Sequence, residues 1–346
     1  MRVGLLGAGR IGVMHAENIA TLPDVSELVI ADVDEARARE VAAKIGAASS
    51  TAVVTASSPA VVSATIDAVL APSRVDAVVI AAATTAHTEL VHRAADAGLP
   101  IFCEKPLAPD VAGTLAVLQH VAAAGVSLQM GFMRRFDAGY RAARTAAQSG
   151  ELGVVHCLQA TTFDLAPPHA AYFPSSGGIF RDCLIHDFDI IRFVTGREIV
   201  SVYATGGNKG ASFIADAGDV DTAVAALVLD DGTVASALGG RYNGGGYDVR
   251  LEVHGSAGTI AVGIDDRSPI RSAEPGVSWP PDPPYDAFAA RFAGAYRQEL
   301  TDFLAHVRGE IPNPCPAADA LEALYVAEAA QLSRDGGRVV LVREVR

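Results

Sequence analysis

Only four cysteines, four methionines and one tryptophan occur in the 346 residues, and aromatic side chains make up 6%. Cys103, Cys157, Cys183 and Cys315 form no C-x-x-C pair, so neither a zinc ribbon nor a disulfide framework is suggested, and buried thiols are expected. Basic residues are also scarce. There are 27 against 40 acidic ones, and a net charge of −13 leaves no basic stripe to release counterions from a nucleic acid. Nucleic acid is therefore not an expected partner, and a small neutral or locally steered substrate fits better. Long apolar runs are absent too. The stretch Val75 to Thr85 is too short to cross a bilayer, so no membrane partner is expected. The chain enters its first strand at residue 2 without a charged leader or cleavage site, and a cytoplasmic location is expected.

What is present is an ordinary globular composition, 50% apolar and 19% charged, in a chain long enough for two domains with separate cores. Up to about residue 125, short apolar runs alternate with alanine-rich helical stretches. Strands are predicted near 2–6, 27–31, 75–81, 100–103 and 126–130. Helices are predicted over 11–21, 35–45, 88–97 and 110–124, the last capped by Asp110. Such alternation predicts a parallel sheet wrapped by helices, a Rossmann domain.

After Gly150 the pattern changes to strand-like runs at 154–162, 200–205, 222–229, 234–241, 247–254 and 259–263, with Asp230-Asp231-Gly232 as a hairpin signal. One helix, about 181–195, interrupts them and stops at Gly196. The fold class expected is α/β: an N-terminal Rossmann dinucleotide-binding domain (1–125) followed by a C-terminal α+β domain (126–346) with an open, mostly antiparallel sheet. An apolar sheet face exposed in such a domain calls for cover by another subunit, so a homodimer or homotetramer is expected. The segment Glu274–Pro284 holds five prolines and the sole tryptophan, Trp279, and reads as a crossover loop that could cap a site. Beyond it, Phe288, Phe292, Leu300, Phe303 and Val307 trace one helical face. A helix over 317–333 and a strand over 339–342 are candidates to pack back on the first domain.

The most specific motif is Gly7-Ala8-Gly9-Arg10-Ile11-Gly12, a G-x-G-x-x-G turn between the first strand and a helix. Gly7 permits the turn, Gly9 removes a side chain that would block phosphates, and Gly12 lets the helix approach its strand, so backbone N–H groups face an anion. Asp32, 20 residues past Gly12 at the end of the second strand, suits the ribose hydroxyls of NAD and would repel the 2′-phosphate of NADP. Arg37 and Arg39 lie near enough to serve a phosphate, but helix-surface arginines beside acidic residues are commonly just solvated.

Lys105, in Cys103-Glu104-Lys105-Pro106, sits where a parallel strand ends, the edge at which ligands bind. The following proline limits its freedom and permits a cis bond. Position alone leaves a solvated surface lysine equally open. In the helix near 181–195, Asp182, Ile185, His186 and Asp189 fall at i, i+3, i+4 and i+7, stacking two carboxylates and an imidazole on one face. These groups can brace a helix, serve acid–base chemistry, or ligate a metal. A zinc set of Cys103, Cys183 and His186 is a further arrangement whose spacing is not diagnostic, and no metal is expected.

Gly7 to Gly12, Thr84-Thr85-Ala86-His87, Glu104-Lys105-Pro106, Gly131 to Asp137, Ser176 to Asp189 and Gly246 to Gly255 together resemble the Gfo/Idh/MocA oxidoreductases over nearly the whole chain. Within that family the pattern is most similar to dehydrogenases of inositols. The resemblance implies Lys105, Asp182 and His186 as catalytic residues. It implies Gly7, Gly9, Arg10, Ile11, Gly12, Asp32, Thr84, His87 and Glu104 as contacts of NAD, with NADP disfavoured, and Met133, Arg134, Asp164 and Tyr247 as substrate contacts. The activity implied is oxidation of a ring secondary alcohol of a cyclic polyol, His186 taking the hydroxyl proton and Lys105 stabilising the alkoxide. A dehydrogenase or reductase of a hexose or nucleotide sugar, and a non-catalytic NAD(H) sensor, are the alternatives. Two departures stand out: Ala83 replaces a frequent proline before Thr84, and Phe163 and Leu165 flank Asp164 where Arg-Asp-Pro is common. The second touches the pocket and bears on which polyol is taken.

Overall fold

The computed structural model describes residues 1–51, 59–278 and 280–346, the side chains of 48–51 excepted. Trp279 thus lies outside the described residues, within a segment that is otherwise loop. The chain divides into two compact units. Unit 1 comprises Met1–Met133 with Gly294–Leu321, and unit 2 comprises Arg134–Ala293 with Glu322–Arg346.

Unit 1 is built on six parallel strands: β1 (Arg2–Leu6), β2 (Glu27–Ala31), β3 (Ala60–Ser63), β4 (Ala77–Ile80), β5 (Ile101–Glu104) and β6 (Leu128–Gly131). Their order, β3-β2-β1-β4-β5-β6, reverses direction between β1 and β4. That reversal opens a crevice at the carboxyl ends of the strands. β1 and β4 are buried along almost their whole length, as expected for strands covered on both faces, where nearly continuous apolar runs replace alternation. The helices Arg10–Ile19, Glu35–Thr51, Thr84–Asp96 and Val111–Ala124 provide that cover. Asp110 caps the last of them through the Gly113 amide at 2.7 Å, as its position predicts. β3 is absent from the strand pattern read in the sequence, because its apolar run, Ala60-Val61-Val62, is only three residues long and lies at the sheet edge.

The sheet of unit 1 runs past residue 125 to include β6, and a later segment completes its core. The helical stripe predicted from Phe288 to Val307 breaks at Phe292 into Phe288–Arg291 and Ala293–Val307. Leu300, Phe303 and Leu304, at helical spacing, bury with Leu5, Ile19, Leu28 and Phe102. The next helix, Ala317–Gly336, begins in unit 1, to which Ala317–Leu321 belong, and continues in unit 2. The last strand, by contrast, does not rejoin unit 1. Val340 and Leu341 pair with the edge of the second sheet, which would otherwise offer open backbone groups.

Unit 2 carries a seven-stranded sheet of β7 (Val155–Phe163), β8 (Ile199–Gly207), β9 (Thr222–Leu229), β10 (Val234–Gly240), β11 (Asp248–Gly255), β12 (Thr259–Val262) and β13 (Val340–Leu341), in the order β12-β11-β7-β10-β9-β8-β13. Only β7 and β10 pair in parallel. The hairpin signal is realised: Gly232 has φ +89° and its amide donates to Leu229 O at 3.0 Å, joining β9 to β10. β9 alternates exposed and buried residues along its length. Helices Ala138–Ser149 and Ile185–Thr195 pack on the sheet, while Val200, Tyr203, Val224, Val228 and Val234 are exposed on it. Among the described residues, no helix is long and apolar enough to cross a membrane.

Candidate active site

In unit 1 the glycine turn leaves β1 at Leu6. Gly7 has φ +108°, and a Cβ there would lie 2.6 Å from the Ala81 backbone, so only glycine fits. Gly12 is confined more tightly still, with a Cβ position 2.0 Å from the Gly7 carbonyl oxygen. Gly9 is different: its Cβ position meets nothing within 4 Å. The chain thus leaves room at the N-terminus of the helix Arg10–Ile19, where backbone N–H groups and the helix dipole favour an anion. Asp32, at the end of β2, accepts from the Ala8 amide at 2.7 Å and from the Asp34 amide at 2.9 Å. A carboxylate is thereby fixed beside the turn. Arg37 and Arg39 are engaged on their own helix with Asp34 at 3.8 Å and Glu35 at 3.4 Å. An open glycine cradle and a fixed acid at the neighbouring strand end fit a dinucleotide.

β4 and β5 end on the same edge. Thr84 opens the helix after β4. His87, one turn in, is buried, its Nδ1 2.7 Å from Pro106 O and its Nε2 3.1 Å from Ala82 O. The imidazole ties the exit of β4 to that of β5. Lys105 follows β5 directly, and the Lys105–Pro106 bond is cis. Glu104 places Oε1 2.7 Å from His15 Nε2. His87 and Glu104, expected as cofactor contacts, therefore spend these atoms on protein partners that hold the strand exits. Met133 is buried in the short turn Met133–Phe136 at the end of the unit.

In unit 2 the helix carrying His186 starts differently from expectation. Phe180–Leu184 forms a π-helical turn before the α-helix Ile185–Thr195, which Gly196 closes with φ +66°. A π turn takes in an extra residue and rotates what precedes it, so Asp182 is not in α-helical phase with Asp189. The single acidic stripe expected from the spacing is accordingly divided. Asp189 is buried against Arg135, with Arg135 Nε donating at 2.8 Å. Asp182 accepts instead from Arg241 Nη2 and from the Tyr172 hydroxyl, each at 2.8 Å. His186 itself is buried.

Around them the polar groups are tightly knit. Arg241, 1% exposed, also reaches Asp164 at 3.4 Å. Burial pushes the Asp164 carboxyl up, against the pull of Arg241. Burial likewise holds the Tyr247 and Tyr172 phenols above their ordinary range, helped at Tyr172 by the charge of Asp182. Arg134 donates to Asp187 at 2.7 Å and to Thr162 at 2.9 Å, all three buried. Burial is the largest influence and opposes its charge, but Asp187, Tyr140 and Tyr247 together outweigh it, so the guanidinium stays above its ordinary pKa. Arg134, expected as a substrate contact, thus has at least two of its nitrogens engaged inside the unit. Sequence reading missed Arg241, Tyr172 and Asp187. Tyr172 and Arg241 lie outside the motifs, Asp187 lies within one without a signal of its own, and their partners are up to 77 residues away.

Residues 1–132 match the family described as "Oxidoreductase family, NAD-binding Rossmann fold", and residues 140–261 match the GFO/IDH/MocA C-terminal domain. The chain belongs to the Gfo/Idh/MocA oxidoreductases. Within that family it is 35% identical over 346 residues to a myo-inositol 2-dehydrogenase of Thermotoga maritima, covering 100% of this chain and 99% of that one. Among solved structures it is similar to a putative myo-inositol dehydrogenase from Sinorhizobium meliloti 1021, with a TM-score of 0.89, 37% identity and 99% of each chain covered. It is also similar to a scyllo-inositol dehydrogenase from Lactobacillus casei with bound cofactor NAD(H) and scyllo-inositol, with a TM-score of 0.83, 28% identity and 99% of each chain covered. The Gfo/Idh/MocA fold is thus carried over both units, and NAD is the cofactor that the Rossmann unit accommodates.

Proposed function

We propose that this protein is an NAD-dependent inositol dehydrogenase, oxidising a ring secondary alcohol of a cyclic polyol to the ketone. The observation that carries the reading is the full-length likeness to inositol dehydrogenases in a chain that keeps Lys105 at the carboxyl edge of β5 and His186 in the buried helix of unit 2. Unit 1 binds the dinucleotide, through Gly7, Gly9, Arg10, Ile11, Gly12, Asp32 and Thr84, and unit 2 supplies the polyol contacts. When bound there, NAD would supply the acceptor for the hydride of the carbinol carbon. His186 takes the hydroxyl proton, which raises the electron density that drives hydride loss. Lys105 donates a hydrogen bond to the oxygen as negative charge grows on it, an interaction stronger in the transition state than in the bound alcohol. Asp182, fixed by Arg241 and Tyr172, keeps a carboxylate beside the reacting hydroxyl and favours the cationic imidazole.

Two finer readings accompany this. A second copy of the chain covers the exposed apolar strip of Val200, Tyr203, Val224, Val228 and Val234, giving a homodimer or homotetramer, which sedimentation would reveal. The lack of a membrane-length helix among the described residues and of any disulfide framework supports a cytoplasmic location. The test of the activity is a panel of inositols and monosaccharides with NAD and with NADP, followed by NADH absorbance. An inositol with NAD is expected to give the highest kcat/KM. A hexose in that place would transfer the reading to a sugar dehydrogenase, and NADH binding without turnover on any alcohol would replace it with a sensor.

A further inference from the structure

Glu299 lies on the helix Ala293–Val307, wholly within unit 1 and 0% exposed. Among the described residues, neither of its carboxyl oxygens has a hydrogen-bond partner. Facing it are His15 from the helix Arg10–Ile19 and Glu104 from β5, and ligand atoms of the three residues lie within 4.8 Å of one another. From β6 come Gln129, whose amide donates to the Glu299 carbonyl at 3.1 Å, and Gly131 beside the Glu104 carboxyl. The His15 ring is walled by Phe102 and Tyr296. The one charge that bears on Glu299 is the like charge of Glu104, and burial together with that charge raises the Glu299 carboxyl well above its ordinary range.

Two carboxylates this close, one wholly buried and the other half-buried with an imidazole bonded to it, are strongly opposed to both being ionised. Glu104 is the bonded one, through His15 at 2.7 Å. A Cβ at position 131 would stand 3.0 Å from its carboxyl carbon, so Gly131 gives that carboxyl its room. Glu104 is the last residue of β5 and immediately precedes Lys105. The backbone on the other side of Lys105 is gripped at Pro106 O by His87.

We propose that His15, Glu104 and Glu299 form one array, buried at His15 and Glu299 and half-buried at Glu104, in which one carboxyl is ionised, Glu299 holding the proton and Glu104 the charge, and that the array positions the end of β5 from which Lys105 projects. Glu299 is then a positioning residue that acts through Glu104. Ionising it sets two like charges against each other and displaces the strand end. The positioning role rests on the reading of Lys105 as catalytic. The protonation does not.

Three measurements on the full-length protein test it. The infrared spectrum at neutral pH should contain the carbonyl stretch of a protonated carboxylic acid that Glu299→Gln lacks. Because the folded chain binds this proton more tightly than the unfolded chain, the contribution of Glu299 to stability is full below the ordinary carboxylate range and declines as pH rises. The melting temperature of Glu299→Gln relative to wild type should therefore climb from about pH 5 to about pH 9. Glu104→Gln should lower kcat by up to about 100-fold, as for a misplacement of order 1 Å, with the Kd for NADH unchanged. Identical infrared spectra, parallel melting curves against pH, or a Glu104→Gln defect that falls on NADH binding would overturn the proposal. So would a wild-type melting temperature raised by zinc or manganese(II) but not in Glu299→Gln, which would make the cluster a cation site. A wild type inactive on the whole polyol panel, with the infrared and melting results as expected, would locate the failure in the assigned reaction and remove the positioning of Lys105 with it.

Discussion

The Ala8 amide donates to the carboxylate of Asp32 at 2.7 Å, so the residue expected to choose between NAD and NADP also anchors the turn expected to hold their phosphates. Replacing Asp32 by alanine removes both a repulsive charge and an anchor. Discrimination for NAD over NADP should fall by about tenfold or more, the value of about 1.4 kcal/mol of lost repulsion. Initial rates with each dinucleotide check this, and an unaltered kcat/KM ratio would remove Asp32 from ribose recognition.

The two glycines at the helix start give opposite expectations. At Gly9 an alanine methyl meets nothing and the backbone is not strained, so Gly9→Ala should melt as the wild type does while its Kd for NADH rises. At Gly12 the methyl would collide with the Gly7 carbonyl at 2.0 Å, so Gly12→Ala should lower the melting temperature as well. Thermal denaturation paired with NADH fluorescence titration separates the cases. Normal NADH affinity in Gly9→Ala would put the dinucleotide elsewhere.

Lys105→Ala and His186→Ala should each lose about 100-fold to 1,000-fold in kcat, the usual cost of removing a donor or proton acceptor that acts in the transition state. NADH binding should persist in both. Wild-type turnover in either variant would withdraw that residue from the chemistry.

Arg134 distinguishes a structural from a binding role. Its ion pair with Asp187 is fully buried, and truncating one partner leaves the other charge uncompensated. Arg134→Ala should therefore destabilise the protein by about 3–5 kcal/mol in denaturant unfolding. A raised KM with unchanged stability would instead make Arg134 primarily a substrate contact.

Much of the fold was legible because local and global signals coincide. Gly7 and Gly12 mark a turn that only glycine can make, β1 and β4 read as apolar runs because both faces are covered, and Asp231-Gly232 closes a hairpin with its own backbone. β3 escaped notice because the apolar run of this short edge strand is only three residues long. The α-helical period misled at Asp182, since nothing in a sequence announces a π turn.

The residues of the first turn, the acid at the end of β2 and the lysine after β5 were determined by the sequence itself, since each depends on neighbours a few positions away or on the end of its own strand. Tertiary structure alone decided which charges are committed to one another: Arg241 to Asp182, Arg134 to Asp187, and Glu299 beside Glu104 and His15. Burial sets the energy of such pairings, and burial is a property of the packed chain that spacing along the backbone does not encode.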